Sequence, residues 1–409
     1  MRVLIVTSTP PYPAHQGGAL RVNGIVQGLS HHGHHLTLLC FTEDQNSASY
    51  APLEAFCERI ETLPMPHRTR EQRLRELALS TRPDIAGRLD SDPLRERMRA
   101  LIAAQDFDLI QFEGIEMAIY LPYALELKRQ GVTRARLVYD SFNAEAALQR
   151  IIAQVEGRSL TRLPMAVYSR IQALRIARFE RQICQQADAV IAVSAEDADA
   201  LRDYRSDRTI HVLSSGIMTG EYADHPQKLD LGERVLVFTG KMDYRPNIDA
   251  MQWFASDVFP AVQDEYPDTK LYIVGQKPHA ALDSLRTRQG IEITGWVPDV
   301  QPYLRAASLY VAPLRMGSGT RLKLLEAMAA GCAVVATTIA ASGLIDEVRS
   351  TLCIADDAQT QIRTVLDLLA QPERCASMGR ALQALVQAHY DWNALIPTLL
   401  SIYREIGLG

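Results

Sequence analysis

Short, near-continuous apolar runs recur along the chain and alternate with longer stretches of helical spacing. MRVLIVTS opens it, and LTLLCF, LIQFEG (109–114), RLVYDS (136–141) and DAVIAVS (188–194) follow in the first half. Runs without polar alternation belong to strands buried on both faces, as in a parallel sheet. Between the first two lies PPYPAHQGGALRVNGIVQGLSHHGH, a loop holding Gly17 and Gly18 and then a helix ending near Gly33. The second half restarts the rhythm with RVLVFTG (234–240), KLYIVG (270–275), IEITGWV (291–297), SLYVAPL (308–314) and CAVVAT (332–337). This alternation predicts an α/β protein of two Rossmann-like, doubly wound domains, residues 1–216 and 217–389, facing across a cleft. Polar and turn-forming residues gather between about Ser214 and Gly232, where the linker is expected. Sheets of this class hold ligands outside the carboxyl ends of their strands.

Composition narrows the picture. The 409 residues fit two domains of about 200 each. Hydrophobic content of 47% and charged content of 22% are those of a water-soluble globular chain. A net charge of −5 argues against a general nucleic-acid binder. Six scattered cysteines with no CxxC pair read as reduced core residues. No apolar run reaches the roughly 18–20 residues of a membrane span, and the first strand begins at Arg2, where a signal peptide is not expected. A cytoplasmic protein is the expectation.

VAPLRMGSGTRLKLLEAMAAGCAVVA, from Val311 to Ala336, carries the candidate chemistry. It reads as strand, glycine-bearing loop, helix from about Thr320 or Arg321, a Gly331 stop, and a second strand. A helix start offers unpaired N–H groups and the positive end of the macrodipole, the combination that binds phosphate. Glu326 in that helix supplies a carboxylate suited to ribose hydroxyls. A diphosphate and a ribose on one loop point to a nucleotide diphosphate. An ordinary βαβ crossover, with glycines that only turn the chain, fits the same spacing.

The segment resembles the donor-site signature of family 4 (group 1) glycosyltransferases of GT-B fold, a Glu-x7-Glu ending in LLEAMAxGxPVVA, and the similarity runs over most of the chain. Glu326 matches the second glutamate; where the first is expected stands Ser318, which puts the sugar specificity in doubt. The loop matches a subgroup pattern, GxGTRxKxLEA, which implies donor contacts from Gly319, Thr320, Arg321 and Lys323. In FTGKMDYRPN (238–247) the resemblance places Gly240 among the donor-binding residues. It sets Lys241 and Arg245 as the cations facing the leaving diphosphate, where charge develops as the sugar–phosphate bond breaks. ITGWVPDV (293–300) resembles the base-recognition turn, with the backbone of Val297 reading the base edge. Gly17 and Gly18 match a loop that approaches the donor, with Arg21 entering the helix behind it.

Past RLVYDS, where many relatives place a histidine, the polar candidates are Asp140, Asn143 and Glu145; Asp140 best fits a proton-accepting position. Asn143 equally suits a helix cap. His15 and Glu113 are further candidates, and the PNG turn of relatives appears as SSGI (214–217). DAD at 197–199 reads as a capped helix start rather than a metal motif, and HHGHH (31–35) as a helix end, so no metal and no cofactor are expected. The closing HYDWNALIPTLLSIYREIG implies a terminal helix, 390–409, that crosses back to the first domain. Arginines crowding 68–99 and 158–181, interleaved with apolar residues, read equally as solvated faces or as basic helices touching an anionic bilayer.

The resemblance implies transfer of a sugar from a nucleotide-diphosphate sugar to a hydroxyl of a glycan, lipid-linked or small-molecule acceptor, with retention and without metal. The alternatives are a nucleotide-sugar epimerase of the same fold and a catalytically degenerate nucleotide-sugar-binding subunit. A dehydrogenase is disfavoured, since GxGxxG is missing after the first strand.

Overall fold

Thirteen parallel strands form two sheets in a computed structural model that describes residues 1–13, 17–43, 49–69, 71–72, 75, 80–156, 163–205, 208–223, 229–316 and 321–408. For 151–156 and 163–167 the description is of the backbone alone. In the first sheet β1 (Arg2–Thr7), β2 (His35–Thr42), β3 (Arg59–Pro64), β4 (Leu109–Glu113), β5 (Arg136–Ser141), β6 (Ala189–Ala192) and β7 (Ile210–Val212) lie in the order β3-β2-β1-β4-β5-β6-β7. The second holds β8 (Val235–Thr239), β9 (Lys270–Val274), β10 (Ile291–Gly295), β11 (Leu309–Ala312), β12 (Val334–Ala336) and β13 (Cys353–Ile354), ordered β10-β9-β8-β11-β12-β13. In both sheets the winding direction reverses beside the first strand, between β1 and β4 and between β8 and β11. That switch point is where loops diverge and leave room for a ligand.

The apolar runs become central strands because helices cover both faces: every residue of β4, β8 and β11 is buried. Edge strands carry no such run. β3 is partly exposed along its length and reads RIETLP, while β7 and β13 span only three and two residues.

The chain divides into two compact units, Met1–Ser214 with Leu395–Gly409, and Ser215–Ala394. The terminal helix Trp392–Glu405 thus ends in the first unit although the chain reaches it from the second. Two contacts seat it. A Cβ on Gly28 of the helix Gly17–His31 would lie 2.3 Å from Ile396 Cγ1, so a glycine inside this helix lets Ile396 pack on its backbone. Tyr403 donates its hydroxyl to Gln111 Oε1 at 2.5 Å. Before that helix, Asp391 accepts from the Thr219 N–H and hydroxyl and from the Asn393 N–H and side-chain amide, beside a short parallel bridge to Ile217.

Five arginines of the first cluster pair with carboxylates, and Arg70 and Arg73 lie outside the described residues. Arg68 pairs with Asp84, Arg82 with Asp90, Arg88 with Glu116, Arg95 with Asp90 and Asp92, and Arg97 with Glu61. These five do not form the unopposed basic face that an anionic bilayer would attract. Among the described residues no helix is long and apolar enough to cross a membrane.

Candidate active site

The site in the second unit is built at the ends of β8 and β11, neighbours at its switch point. Gly240 follows β8 with φ +150, and a Cβ there would sit 2.6 Å from Lys323 Nζ and 2.7 Å from Asn247 Nδ2. Gly275, after β9, also has φ +150, and its Cβ would lie 1.8 Å from the Gly240 carbonyl oxygen. Only glycines allow this approach of two strand ends, because the conformation and the space both exclude a side chain.

From the other side comes the helix Leu322–Ala329, with Arg321 at its N-cap in extended conformation. It begins one residue past the expected start. Lys323 Nζ donates to Asn247 Oδ1 at 2.7 Å and lies 4.4 Å from the centroid of the Phe238 ring. Burial pulls the Lys323 ammonium down to about 7, Arg321 lowers it further, and Glu326 opposes both. Arg321 Nε and Nη2 are buried without a hydrogen-bond partner among the described residues, and burial lowers its pKa too. Guanidinium has donors and no acceptor, so enclosed unmatched N–H groups beside a second cation are costly unless an anion joins them.

Glu326 follows Lys323 by three residues and shares its helix face. Its Oε1 accepts from the Tyr222 hydroxyl at 2.8 Å. Burial raises the Glu326 carboxyl, while Tyr222 and Lys323 pull it back. Tyr222, on the short helix Thr219–Ala223, left no sequence signal. Asn247 was equally silent, standing only as the residue after a proline in RPN.

Lys241 projects from the loop after β8 with its Nζ 3.9 Å from Asp243 Oδ2, a contact with both side chains well exposed. Arg245 opens the helix Arg245–Trp253, exposed and without an ion pair among the described residues. Arg315, after β11, is engaged elsewhere: it grips Asp249 at 2.9 and 2.6 Å and stacks over Trp253. Val297 is half-buried against the core of the second unit, next to Trp296, whose ring is 65% exposed. Gly319 and Thr320, with Ser318 and His15, lie outside the described residues.

The corresponding strand ends of the first unit correct one expectation. Asp140 is fully buried, and both its oxygens accept from Arg21, Oδ2 from Nε and Oδ1 from Nη2, each at 2.8 Å. Arg21 also donates to the Leu213 carbonyl at 2.9 Å. A carboxylate held bidentately by a buried guanidinium is a structural anchor, with both oxygens already engaged. Beside it Glu113 is equally buried; Gln111 donates to its Oε1 at 2.7 Å, and its Oε2 has no hydrogen-bond partner among the described residues. Burial first, then Asp140, push its pKa well up, while Gln111 and Arg21 pull it back.

Gly18 has a packing reason: a Cβ would meet the Phe142 ring at 3.0 Å, while Gly17 is exposed. Asn143 does not cap the helix Glu145–Glu156; it donates to Glu145 Oε1 at 3.1 Å. Glu180 caps instead, accepting from the Glu145 and Ala146 N–H groups at 2.8 and 3.0 Å. Burial raises Glu145 to about 7 and Glu180 to about 8. The DAD aspartates serve the fold: Asp197 Oδ1 accepts from the Ala144 N–H, Ser194 caps the Asp197 N–H, and Asp199 pairs with Arg202. HHGHH does end a helix, with Gly33 at φ +75.

Two family models match. One described as glycosyl transferases group 1 covers residues 233–371, and one described as glycosyl transferase 4-like domain covers residues 16–216. Among curated relatives, an uncharacterized 44.6 kDa protein in the cps region of Klebsiella pneumoniae is 21% identical over 99% of each chain. Phosphatidyl-myo-inositol mannosyltransferase of Propionibacterium freudenreichii subsp. shermanii is 28% identical over 58% of this chain and 61% of its own. Among solved structures, Anabaena HepE in complex with UDP and glucose superposes with a TM-score of 0.63 at 18% identity, over 98% of this chain and 99% of that one. With both halves matched and both sheets wound as GT-B requires, the chain belongs to the family 4-like, group 1 glycosyltransferases and is an enzyme of glycosyl transfer.

Proposed function

We propose that this glycosyltransferase takes its sugar from a nucleotide-diphosphate sugar held in the second unit. The observation that carries the reading is the buried Arg321 guanidinium, with Nε and Nη2 unmatched among the described residues, two residues from the buried ammonium of Lys323. A diphosphate would supply acceptor oxygens to the Arg321 N–H groups and further negative charge beside Lys323, whose ammonium already donates to Asn247. The start of the helix Leu322–Ala329, Lys241 and Arg245 add donors and charge, Gly240 leaves room for close approach, Glu326 takes the ribose hydroxyls, and Val297 offers its backbone to the base.

Chemistry follows from the charges. The bond between the anomeric carbon and a phosphate oxygen breaks, and its electron pair stays on the diphosphate, where Arg321, Lys323 and Lys241 stabilise it. The acceptor oxygen bonds to the anomeric carbon on the face that the diphosphate leaves, which retains its configuration, and the acceptor's proton passes to the departing phosphate. Fixed cations perform the neutralisation that a metal ion performs elsewhere, so activity is expected to survive chelation. The acceptor class is a glycan or lipid-linked hydroxyl; the naming of relatives after phosphatidyl-myo-inositol and after a cps region supports it.

The test is a thermal-shift series with UDP-, GDP-, ADP- and dTDP-linked sugars in EDTA. A rise in melting temperature with one base class is the expected result, and no rise with any of the four would refute the donor site. Release of nucleoside diphosphate on adding acceptor separates transfer from a binding-only subunit. Epimerised donor without acceptor would identify an epimerase.

A further inference from the structure

Asn247 is a polar residue in an apolar place. It lies in the first turn of the helix Arg245–Trp253, 3% exposed, where a leucine or alanine would serve both helix and core. Its amide is instead used at both ends: Nδ2 donates to the Lys241 carbonyl at 2.8 Å, and Oδ1 accepts from Lys323 Nζ at 2.7 Å. Ammonium can only donate and a carbonyl can only accept, so this orientation of the amide alone satisfies both partners. The space they occupy is the volume that a side chain on Gly240 would fill. One amide therefore joins the end of β8, the first turn of the following helix and the helix that carries Arg321, Lys323 and Glu326.

We propose that Asn247 is a positioning residue of the transfer reaction, holding the Lys323 ammonium at the Gly240–Lys241 loop before the diphosphate arrives. The inference rests on the diphosphate reading of the previous section. A free lysine side chain samples many rotamers, and ordering it opposes binding by about 1.5–2 kcal/mol. Here the Asn247 bond and the Phe238 ring fix it in advance, a preorganisation that works on the loaded state without any contact between Asn247 and the donor. Asn247 also favours the charged form of Lys323 by accepting from it. The other groups facing this ammonium are Arg321, which disfavours the charge, and Glu326, which favours it. Lys241 and Arg245 flank the same loop, and Tyr222 reaches the cluster through its bond to Glu326.

Titration calorimetry with UDP, GDP, ADP and dTDP between pH 6 and 9 tests this on the full chain and on two variants, Asn247→Ala and Asn247→Asp. Wild-type affinity should fall as pH rises through the deprotonation of Lys323. Asn247→Ala should bind about tenfold more weakly at pH 7.5, since it removes a hydrogen bond to a charged group, and its decline should begin at lower pH. Asn247→Asp places a carboxylate beside the ammonium, so its decline should move to higher pH. Opposite displacements mark control of Lys323, because loss of packing would move both variants the same way. Wild-type protein that binds none of the four ligands refutes the diphosphate reading itself. Wild-type binding with the same pH profile in both variants overturns the role of Asn247 alone. Should Asn247→Ala not fold, Asn247→Asp decides: an unmoved alkaline decline overturns the inference.

Discussion

Replacing Lys323 by Met should make the empty protein more stable while abolishing its affinity for nucleoside diphosphates. Burial brings the Lys323 pKa from 10.5 to about 7. Each pKa unit corresponds to about 1.4 kcal/mol, so at neutral pH the folded chain carries up to about 4 kcal/mol of destabilisation from this one ammonium. Its hydrogen bond to Asn247 and its contact with the Phe238 ring would be lost with it, an opposing term of about 1–2 kcal/mol. Methionine matches the length and apolar bulk of the lysine stem, so the net gain should be about 1–3 kcal/mol, several degrees in melting temperature for a unit of this size. The pH dependence carries the sign. Between pH 7 and about 10 the unfolded lysine holds its proton and the folded one does not, so the wild type gains stability as pH rises through that window. Lys323→Met lacks this rise, and its advantage should be largest near pH 6.5 and fade toward pH 10. Denaturation curves at pH 6.5, 8 and 9.5, paired with calorimetry against UDP and GDP, measure both effects. A variant less stable than wild type at every pH, or one with unchanged diphosphate affinity, would refute the reasoning.

Three further perturbations separate chemistry from architecture. Glu326→Ala should raise the donor KM about tenfold or more and lower kcat, since the variant loses the carboxylate proposed to hold the ribose and leaves the Tyr222 hydroxyl unmatched; steady-state kinetics indistinguishable from wild type would remove its role. Asp140→Asn should cost about 3–5 kcal/mol of folding stability by leaving Arg21 as a buried unmatched charge; undiminished stability in urea with a large fall in kcat would restore Asp140 as a proton acceptor. Gly28→Ala should destabilise the first unit by about 1–3 kcal/mol, because the new Cβ would fall 2.3 Å from Ile396, with diphosphate affinity in calorimetry left as it was.

Much of the architecture was legible in the chain because central parallel strands are buried on both faces, and continuous burial writes a continuous apolar run. VLVFT and LYVA could hardly be anything else. The helix Leu322–Ala329, with Arg321 at its N-cap, was legible for a related reason: it follows a continuous apolar run, and i, i+3 spacing sets the face that Lys323 and Glu326 share. Edge strands escaped. RIETLP carries the polar residues that one open edge permits, and β7 and β13 are too short to show a period.

Roles that depend on partners were decided by the tertiary structure. Asp140 at a strand end has the same local signature as a general base or as an ion-pair anchor, and Arg21, 119 residues away, makes it the anchor. Asn143 looked like a helix cap until Glu180 took that position from a helix of its own. Tyr222 meets Glu326 across 104 residues and Asn247 meets Lys323 across 76, so no window along the chain could join them. Backbone periodicity is a local property and survives in one dimension. Burial, pairing and the pKa values they set depend on which distant groups share a volume, and that is decided only when the chain folds.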